Sequence, residues 1–449
     1  MELFEEATEH HKEGRFQEAE KLYDMLLTQN HDNAGLLATM GTLYLQTNRY
    51  GLAIHFLHEA LKTSPTQSEV LSNLGLAYKN SGQGEKCFHY LEKSCKHDPN
   101  AEALSNFAGL FTQSGTPDKA IELCSRAIKK NPELAIAHWN LALALMESGQ
   151  WDTAWDEHEW GLKRIKNTNV MRVDREIGNV PYWDGTQGKI VAVYGEQGIG
   201  DEIMFASMLP DLMKTNTVIL ESHKRLKHLF ERAFPGMPIY GTREDHAISW
   251  PFDHQIDYRI SIGSLGKFYR RSKESFPGTP YLVADAAPKG DKFRVGISWT
   301  GGQKAGRIQT RTVPLSWWKS ILNNSQCEFI SLQYTDCAEE IALMEKQGYS
   351  IKQFAEVKAD DYYETAKLVK SCDLVISICT SVIHLAGALG VPCWIMVPNK
   401  PAWRYGVSGR MPWYKSVRLY RQTDSWIPVV ERICSDLDAL FSEDKMAVA

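Results

Sequence analysis

Small and apolar residues recur with one long period through the first third of the chain. Ala19, Ala53, Cys87, Ala120 and Ala154 stand 34, 34, 33 and 34 residues apart. Gly41, Gly75, Ala108 and Ala142 keep the same phase, and Pro65, Pro99 and Pro132 follow in step. Polar turn signals (E-G-R-F, T-N-R-Y, S-G-Q-G, S-G-T-P, S-G-Q-W) fall in register with them. Helical stretches broken by such turns predict stacked helix pairs, with small side chains where the two helices of a pair approach closely. From Lys189 the pattern changes to short apolar runs separated by helical segments: K-I-V-A-V-Y, T-V-I-L-E-S, M-P-I-Y, D-Y-R-I-S-I-G, R-V-G-I-S-W, E-F-I-S-L-Q-Y, Y-S-I-K-Q-F, L-V-I-S-I-C and C-W-I-M-V. Strands that alternate with helices predict parallel sheets covered on both faces. A Pro/Gly-rich break at 277–292 divides these strands into two groups. The last helix, from about Pro428 to Phe441, puts Val430, Ile433, Cys434, Leu437 and Phe441 on one face. Its D-L-D at 436–438 falls on the polar side and reads as solvated surface.

The period, the small contact residues and the prolines after each second helix resemble tetratricopeptide repeats. That likeness covers about residues 1–165, as four full units and a degenerate first one. The expected architecture is an α-solenoid followed by an α/β region of two Rossmann-like halves with a cleft between them. Its expected parts are a solenoid at 1–165, a linker at 166–186, an N-terminal half at 187–288, a C-terminal half at 289–425, and a helix and tail at 426–449. The aromatic-rich stretch W-D-T-A-W-D-E-H-E-W-G-L (151–162) and P-Y-W-D-G (181–185) read as a rigid seam after the repeats. Asn73, Asn106 and Asn140 occupy one repeat position, with Thr39 in phase. Such amides either pair with the backbone of an extended peptide, as similar ladders do in O-GlcNAc transferases, or serve the repeat's own packing.

Two stretches of the α/β region point to chemistry. Residues 373–404 read as a strand (374–379), a turn carrying Thr380 and Ser381, a helix (382–389) and a second strand (393–397). A strand feeding directly into a helix leaves backbone N–H groups over the turn, and these with the helix dipole favour an anion such as phosphate. Any parallel α/β core contains turns of this kind, so the pattern alone leaves a purely structural unit open. Y-G-E-Q-G-I-G-D-E-I-M-F-A (194–206) follows the first strand and opens a helix. Its glycines do not match G-x-G-x-x-G, so a dinucleotide site is not indicated. Asp201 is expected at or near the helix N-cap, either as a cap or as a base facing the cleft.

E-Q-G-I-G-D-E-I followed by C-T-S-V-I-H-L-A-G-A-L-G-V-P resembles the heptosyltransferase-like (ADP-heptose-type) glycosyltransferases of the two-domain GT-B fold. The likeness is to the branch in which tetratricopeptide repeats precede the catalytic region. V-G-I-S-W-T-G-G (295–302), R-T-V-P-L, I-S-L-Q, P-A-W-R, P-W-Y and R-L-Y-R-Q add to it, in order, over residues 150–430. The resemblance implies an inverting transfer of a sugar from a nucleotide-activated donor, with Asp201 as general base. It places Gly198, Gly200, Trp299, Arg311, Gln333, Thr380, Ser381, His384 and Arg404 at the donor, with Lys304 and Arg307 near the phosphates and Trp403 beside Arg404. His384 could equally be a satisfied core histidine. No metal or other cofactor is expected, because this fold neutralises the leaving diphosphate with helix N-termini and basic side chains. The acceptor is expected to be a protein or peptide held by the repeats. One position departs: where the family usually has Asp before Thr, this chain has Cys379. A non-catalytic scaffold and a sugar-nucleotide epimerase on the same fold are the alternatives.

Composition narrows the class without changing the picture. The 449 residues allow roughly three domains. A net charge of -5 argues against a general nucleic-acid binder. Nine cysteines without a C-x-x-C pair fit reduced thiols rather than a disulfide frame or zinc site, and an acidic, polar start shows no signal peptide, so a cytoplasmic location is expected. Residues 374–399 lack Asp, Glu, Lys and Arg, but their hydroxyls, glycines and strand-like start read as core rather than a membrane span.

Overall fold

The computed structural model describes residues 2–96, 98–163, 172, 174–301 and 311–443. The chain divides into two compact units, Met1–Ser148 with Asp156–Met171, and Gly149–Trp155 with Arg172–Ala449.

The first unit is helical. Glu2–Lys12 pairs with Phe16–Gln29, Ala34–Gln46 with Tyr50–Thr63, Ser68–Asn80 with Gly84–Ser94, and Ala101–Ser114 with Pro117–Lys130. Ala135–Glu147 begins a fifth pair, followed in sequence by Trp151–His158. The periodic small residues do what their spacing predicts. A Cβ on Gly41 would lie 2.6 Å from Leu57 Cγ, and one on Gly75 would lie 2.6 Å from Leu91 Cγ. Asn33 and Asn100 cap the helices that follow them by accepting from Leu36 N and Ala103 N.

The second unit holds two sheets in which every strand pairing is parallel. Strands β1 (Ile190–Tyr194), β2 (Thr217–Glu221), β3 (Ile239–Tyr240) and β4 (Tyr258–Ser261) are ordered β3-β2-β1-β4. Strands β5 (Phe293–Ser298), β6 (Cys327–Ser331), β7 (Leu374–Ile378), β8 (Cys393–Val397) and β9 (Val417–Arg421) are ordered β6-β5-β7-β8-β9. In the second sheet Val295 lies opposite Leu374, and Val375 opposite Cys393. All five residues of β7 and of β8 are buried, as two covered faces require.

Two strand expectations need correction. Y-S-I-K-Q-F forms only an isolated bridge between Ile330 and Lys352, because exposed Lys352 and Gln353 carry the chain off the sheet edge. Val417–Arg421 is a strand that no continuous apolar run announced: it is an edge strand with Arg418 exposed. The final helix, Ile427–Glu443, buries Val430, Ile433 and Leu437 in the core of the second sheet, with Cys434 and Phe441 partly buried against it.

The segment between the sheets carries no strand or helix over 277–292 but is docked on the second one. Tyr281 and Leu282 N–H donate to Ala388 O at 3.0 and 3.1 Å, and Ala287 N–H to Lys367 O at 3.0 Å. Trp151 and Trp155 belong to this unit. Trp155 Nε1 donates to Arg270 O at 2.8 Å, and its ring meets Phe205 and Trp403 edge-on, at 6.4 and 6.3 Å.

Candidate active site

The glycine loop between β1 and the Ile199–Ala206 helix is held by two buried carboxylates. Glu196 is sealed beneath it, bound to Arg172 Nη2 at 2.7 Å and to Gly263 N–H at 3.2 Å, with Ser261 Oγ as a further donor. Glu202 accepts from His223 N–H and Arg243 Nη1, each at 2.9 Å. Burial pushes Glu202 up to about 7 even with Arg243 beside it. A Cβ on Gly195 would sit 2.6 Å from the Glu202 carboxyl carbon, so a larger residue there would displace that carboxylate from its bonds. With Glu196 and Glu202 committed to anchoring, Asp201 is the acidic residue of the motif that reaches the cavity. It stands at the third helical position, not at the N-cap, which is Gly198; its Oδ2 accepts from Gly198 N–H at 3.4 Å.

The second sheet brings the other turn. β7 ends at Ile378 and, after two intervening residues, the Ser381–Leu389 helix starts, with Thr380 as N-cap making no side-chain capping bond. Ser381 Oγ is fixed by the Tyr362 hydroxyl, which donates to it at 3.0 Å. His384 lies under the helix start, 3 % exposed, with Nδ1 3.2 Å from Tyr414 Oη. Burial first, and Arg404 second, hold His384 well below the usual imidazole range, so its ring is neutral. The two helix starts nearly touch: a Cβ on Gly200 would be 3.2 Å from Ser381 Cα and 3.1 Å from His384 Cδ2.

Between these turns lies a cavity of about 480 Å³. It unites Gly198, Gly200, Asp201, Arg311, Thr380, Ser381, His384 and Arg404, residues scattered over 207 positions of sequence (404 − 198 + 1). Arg404 Nη2 donates to Asp201 Oδ1 across the cavity. Burial opposes the Arg404 charge most strongly, but the Asp201 carboxylate together with Tyr405 and Cys379 leaves the guanidinium above its ordinary range. Arg404 Nε is buried and has no hydrogen-bond partner among the described residues. Cys379 lines the cavity where a carboxylate was expected from the family pattern, and burial raises its thiol, which is therefore protonated.

Trp299 and Gln333 are not at the cavity and require correction. Trp299 is fully buried in the core of the second sheet, its Nε1 donating to Glu340 at 3.0 Å. Gln333 Oε1 accepts from Ser298 Oγ, Trp299 N and Thr300 N at 3.1–3.2 Å, and its Nε2 donates to Thr300 O at 2.8 Å. Its amide is spent holding the turn after β5; its neighbours Leu332 and Tyr334 line the cavity instead. Lys304 and Arg307 lie outside the described residues.

Arg225 and Tyr362 were missed. Arg225 follows β2, lines the cavity, donates from Nη2 to Ala359 O at 2.9 Å and lies 5.3 Å from the Tyr362 ring centroid. The available signal was its place beyond the carboxyl end of a parallel strand, where ligands of such sheets gather. Within the repeats, Asn73 donates to Thr42 Oγ1 at 3.0 Å, Asn106 to Ser72 Oγ at 2.9 Å and Asn140 to Ser105 O at 3.1 Å. Each amide thus ties its repeat to the preceding one through its Nδ2. Among the described residues no group of three or more His, Cys, Asp or Glu is placed to hold a metal ion, and no helix is long and apolar enough to cross a membrane.

Comparison with known proteins bears first on the helical unit. A family model, the tetratricopeptide repeat, matches residues 106–157. The chain carries tetratricopeptide repeats. It is similar to Protein FlbA of Caulobacter vibrioides, 28% identical over 429 residues, which cover 87% of this chain and 70% of that protein. It is also similar to the probable UDP-N-acetylglucosamine–peptide N-acetylglucosaminyltransferase SPINDLY of Hordeum vulgare. That match is 27% identical over 148 residues, 31% of this chain and 16% of that protein, and falls in the repeat region. Among solved structures, MamA is 22% identical with a TM-score of 0.30, covering 35% of this chain and 92% of that one. Pseudomonas aeruginosa PilF is 15% identical with a TM-score of 0.33, covering 35% and 73%.

Proposed function

We propose that the second unit is a GT-B, heptosyltransferase-like glycosyltransferase that moves a sugar from a nucleoside-diphosphate donor to a protein or peptide acceptor held by the repeats. The supporting observation is the charge inventory of one cavity. Among the described residues, three guanidiniums (Arg225, Arg311, Arg404) and a helix start whose N-cap side chain makes no capping bond surround a single carboxylate, Asp201. That arrangement suits a dianionic leaving group beside one proton acceptor. The diphosphate sits over Thr380 and Ser381, where helix N–H groups and Arg311 neutralise it. Neutral His384 supports the turn without adding charge. Asp201 takes the proton of the acceptor as the acceptor's lone pair forms the new bond to the anomeric carbon. The anomeric C–O bond breaks on the opposite face, and its electron pair leaves with the nucleoside diphosphate. The peptide-transferase name of the barley relative, confined to the repeats, favours a peptide acceptor for this array as well.

The test is incubation with UDP-, GDP-, ADP- and CMP-linked sugars. Slow release of free nucleotide from one of them is expected, and Arg311→Ala should weaken calorimetric affinity for the matching nucleoside diphosphate by roughly 10- to 100-fold, the loss of one charge-assisted bond. Reversible change of the sugar would instead mark an epimerase. Absence of binding to every compound would favour the scaffold reading, to which protonated Cys379 in place of a family carboxylate lends support. For the acceptor, a chain lacking residues 1–148 is expected to keep nucleotide release and to lose transfer to protein. Transfer that survives the deletion would remove the repeats from substrate recruitment.

A further inference from the structure

We propose that Arg404 is an exchange residue: it holds Asp201 while the cavity is empty of anion, and leaves it for the donor's diphosphate, so that the base is freed only when the donor is seated. This deepens the transferase reading and rests on it. The inference starts from what Arg404 touches. Its Nη2 donates to Asp201, while its Nε is buried without a partner among the described residues. A guanidinium has five N–H donors in a rigid fork, and a bidentate anion satisfies more of them than one carboxylate oxygen does. The seat for that anion is adjacent, because the start of the Ser381–Leu389 helix lies against Gly200, one residue from Asp201, and lines the same cavity as Arg404.

The backbone of Arg404 cannot supply the movement. Arg421 clamps the following turn, donating to Tyr405 O at 2.6 Å and Gly406 O at 2.8 Å. Preceding Arg404, Trp403 is wedged against Trp151, Trp155 and Trp413, each ring about 6.3 Å away. The part free to change partner is the side chain, which can pass between staggered rotamers without moving the backbone. Asp201 is anchored in the opposite sense, on a helix whose first turn is held by Glu196 and Glu202. Exchange therefore swaps the partner of one side chain and leaves both turns in place. While the pair is closed, one oxygen of Asp201 accepts from Arg404 and the other faces Gly198 N–H at 3.4 Å, so the Arg404 charge lowers the basicity that Asp201 can offer an acceptor.

A double-mutant cycle on inorganic pyrophosphate, read by calorimetry, tests the exchange without requiring turnover. Asp201→Asn should tighten pyrophosphate several-fold, since no ion pair has to be surrendered. Arg404→Gln should weaken it by roughly tenfold or more, the worth of a charged hydrogen bond. In the Arg404→Gln background, Asp201→Asn should then change affinity by less than about twofold, the two sites being coupled only through the pair. Equal tightening by Asp201→Asn in both backgrounds would mean that Asp201 acts through its general field, and would overturn the exchange while sparing the transferase. Unchanged affinity in Arg404→Gln would overturn it also. If pyrophosphate gives no heat with the native chain but a nucleoside diphosphate does, the same cycle on that nucleotide decides. Silence with both overturns the transferase reading and the exchange together. Circular dichroism of each variant confirms that the fold is kept.

Discussion

Asp201→Ala is expected to lower the rate of nucleotide release by roughly 10²- to 10⁴-fold, the usual contribution of a positioned general base. Donor affinity should not fall. The substitution removes a negative charge from a cavity built around three arginines, so nucleoside diphosphate should bind as tightly or more tightly. A fall in turnover together with unimpaired donor binding would place Asp201 in the chemical step rather than in donor binding. The residue is well chosen for this test because its neighbours carry the structure. Glu196 and Glu202, five residues before and one after, hold the loop through buried bonds that the substitution leaves intact. Full turnover in a folded Asp201→Ala variant would reassign the base and with it the mechanism.

The largest stability effect is expected at Arg172. Its guanidinium and the Glu196 carboxylate are both fully buried, and Arg172 Nη2 also reaches Ser261 Oγ at 3.0 Å and Ser264 Oγ at 2.8 Å. Removing one member of such a pair leaves an uncompensated charge in the interior, which costs about 3–5 kcal/mol. That is a large fraction of the roughly 5–15 kcal/mol that holds a typical protein folded. Arg172→Ala should therefore shift the urea midpoint of the second unit strongly, followed by tryptophan fluorescence, and deplete soluble protein. Arg172→Met with Glu196→Gln removes both charges while Gln keeps an acceptor for Gly263 N–H, and should recover at least half of the loss. A midpoint for Arg172→Ala within experimental scatter of the native chain would show that the pair does not hold the loop.

The helical unit was legible because its contacts are local. The residues that must be small, such as Gly41 and Gly75, each face a leucine of the partner helix sixteen positions on, so the packing rule is written at a fixed interval. Strands β7 and β8 were legible because burial on both faces demands unbroken apolar runs. β9 was not, since an edge strand tolerates Arg418 on its open side. In the candidate site, the turns at 198–201 and 380–384 announced themselves through strand-to-helix punctuation. Gln333 and Trp299 misled because a polar or aromatic residue at a strand end reads the same whether it faces ligand or the next turn. Arg225 was silent for the complementary reason: its meeting with Tyr362 is fixed by how the two sheets pack, and a stretch such as H-K-R-L reads as solvated surface until that packing is known.

The separation of Asp201 and Arg404 along the chain, 203 residues, has a consequence during translation. Each helical hairpin can close as soon as its few dozen residues clear the ribosome, because its partners are already there. Strand β5 must wait for β7, whose Leu374 pairs with Val295 only after 79 further residues have been made (374 − 295). At about 5–20 residues per second, synthesis from Ser148 to Arg404 takes on the order of 10–50 s. For that interval the nascent polypeptide carries closed helical hairpins and no assembled cavity.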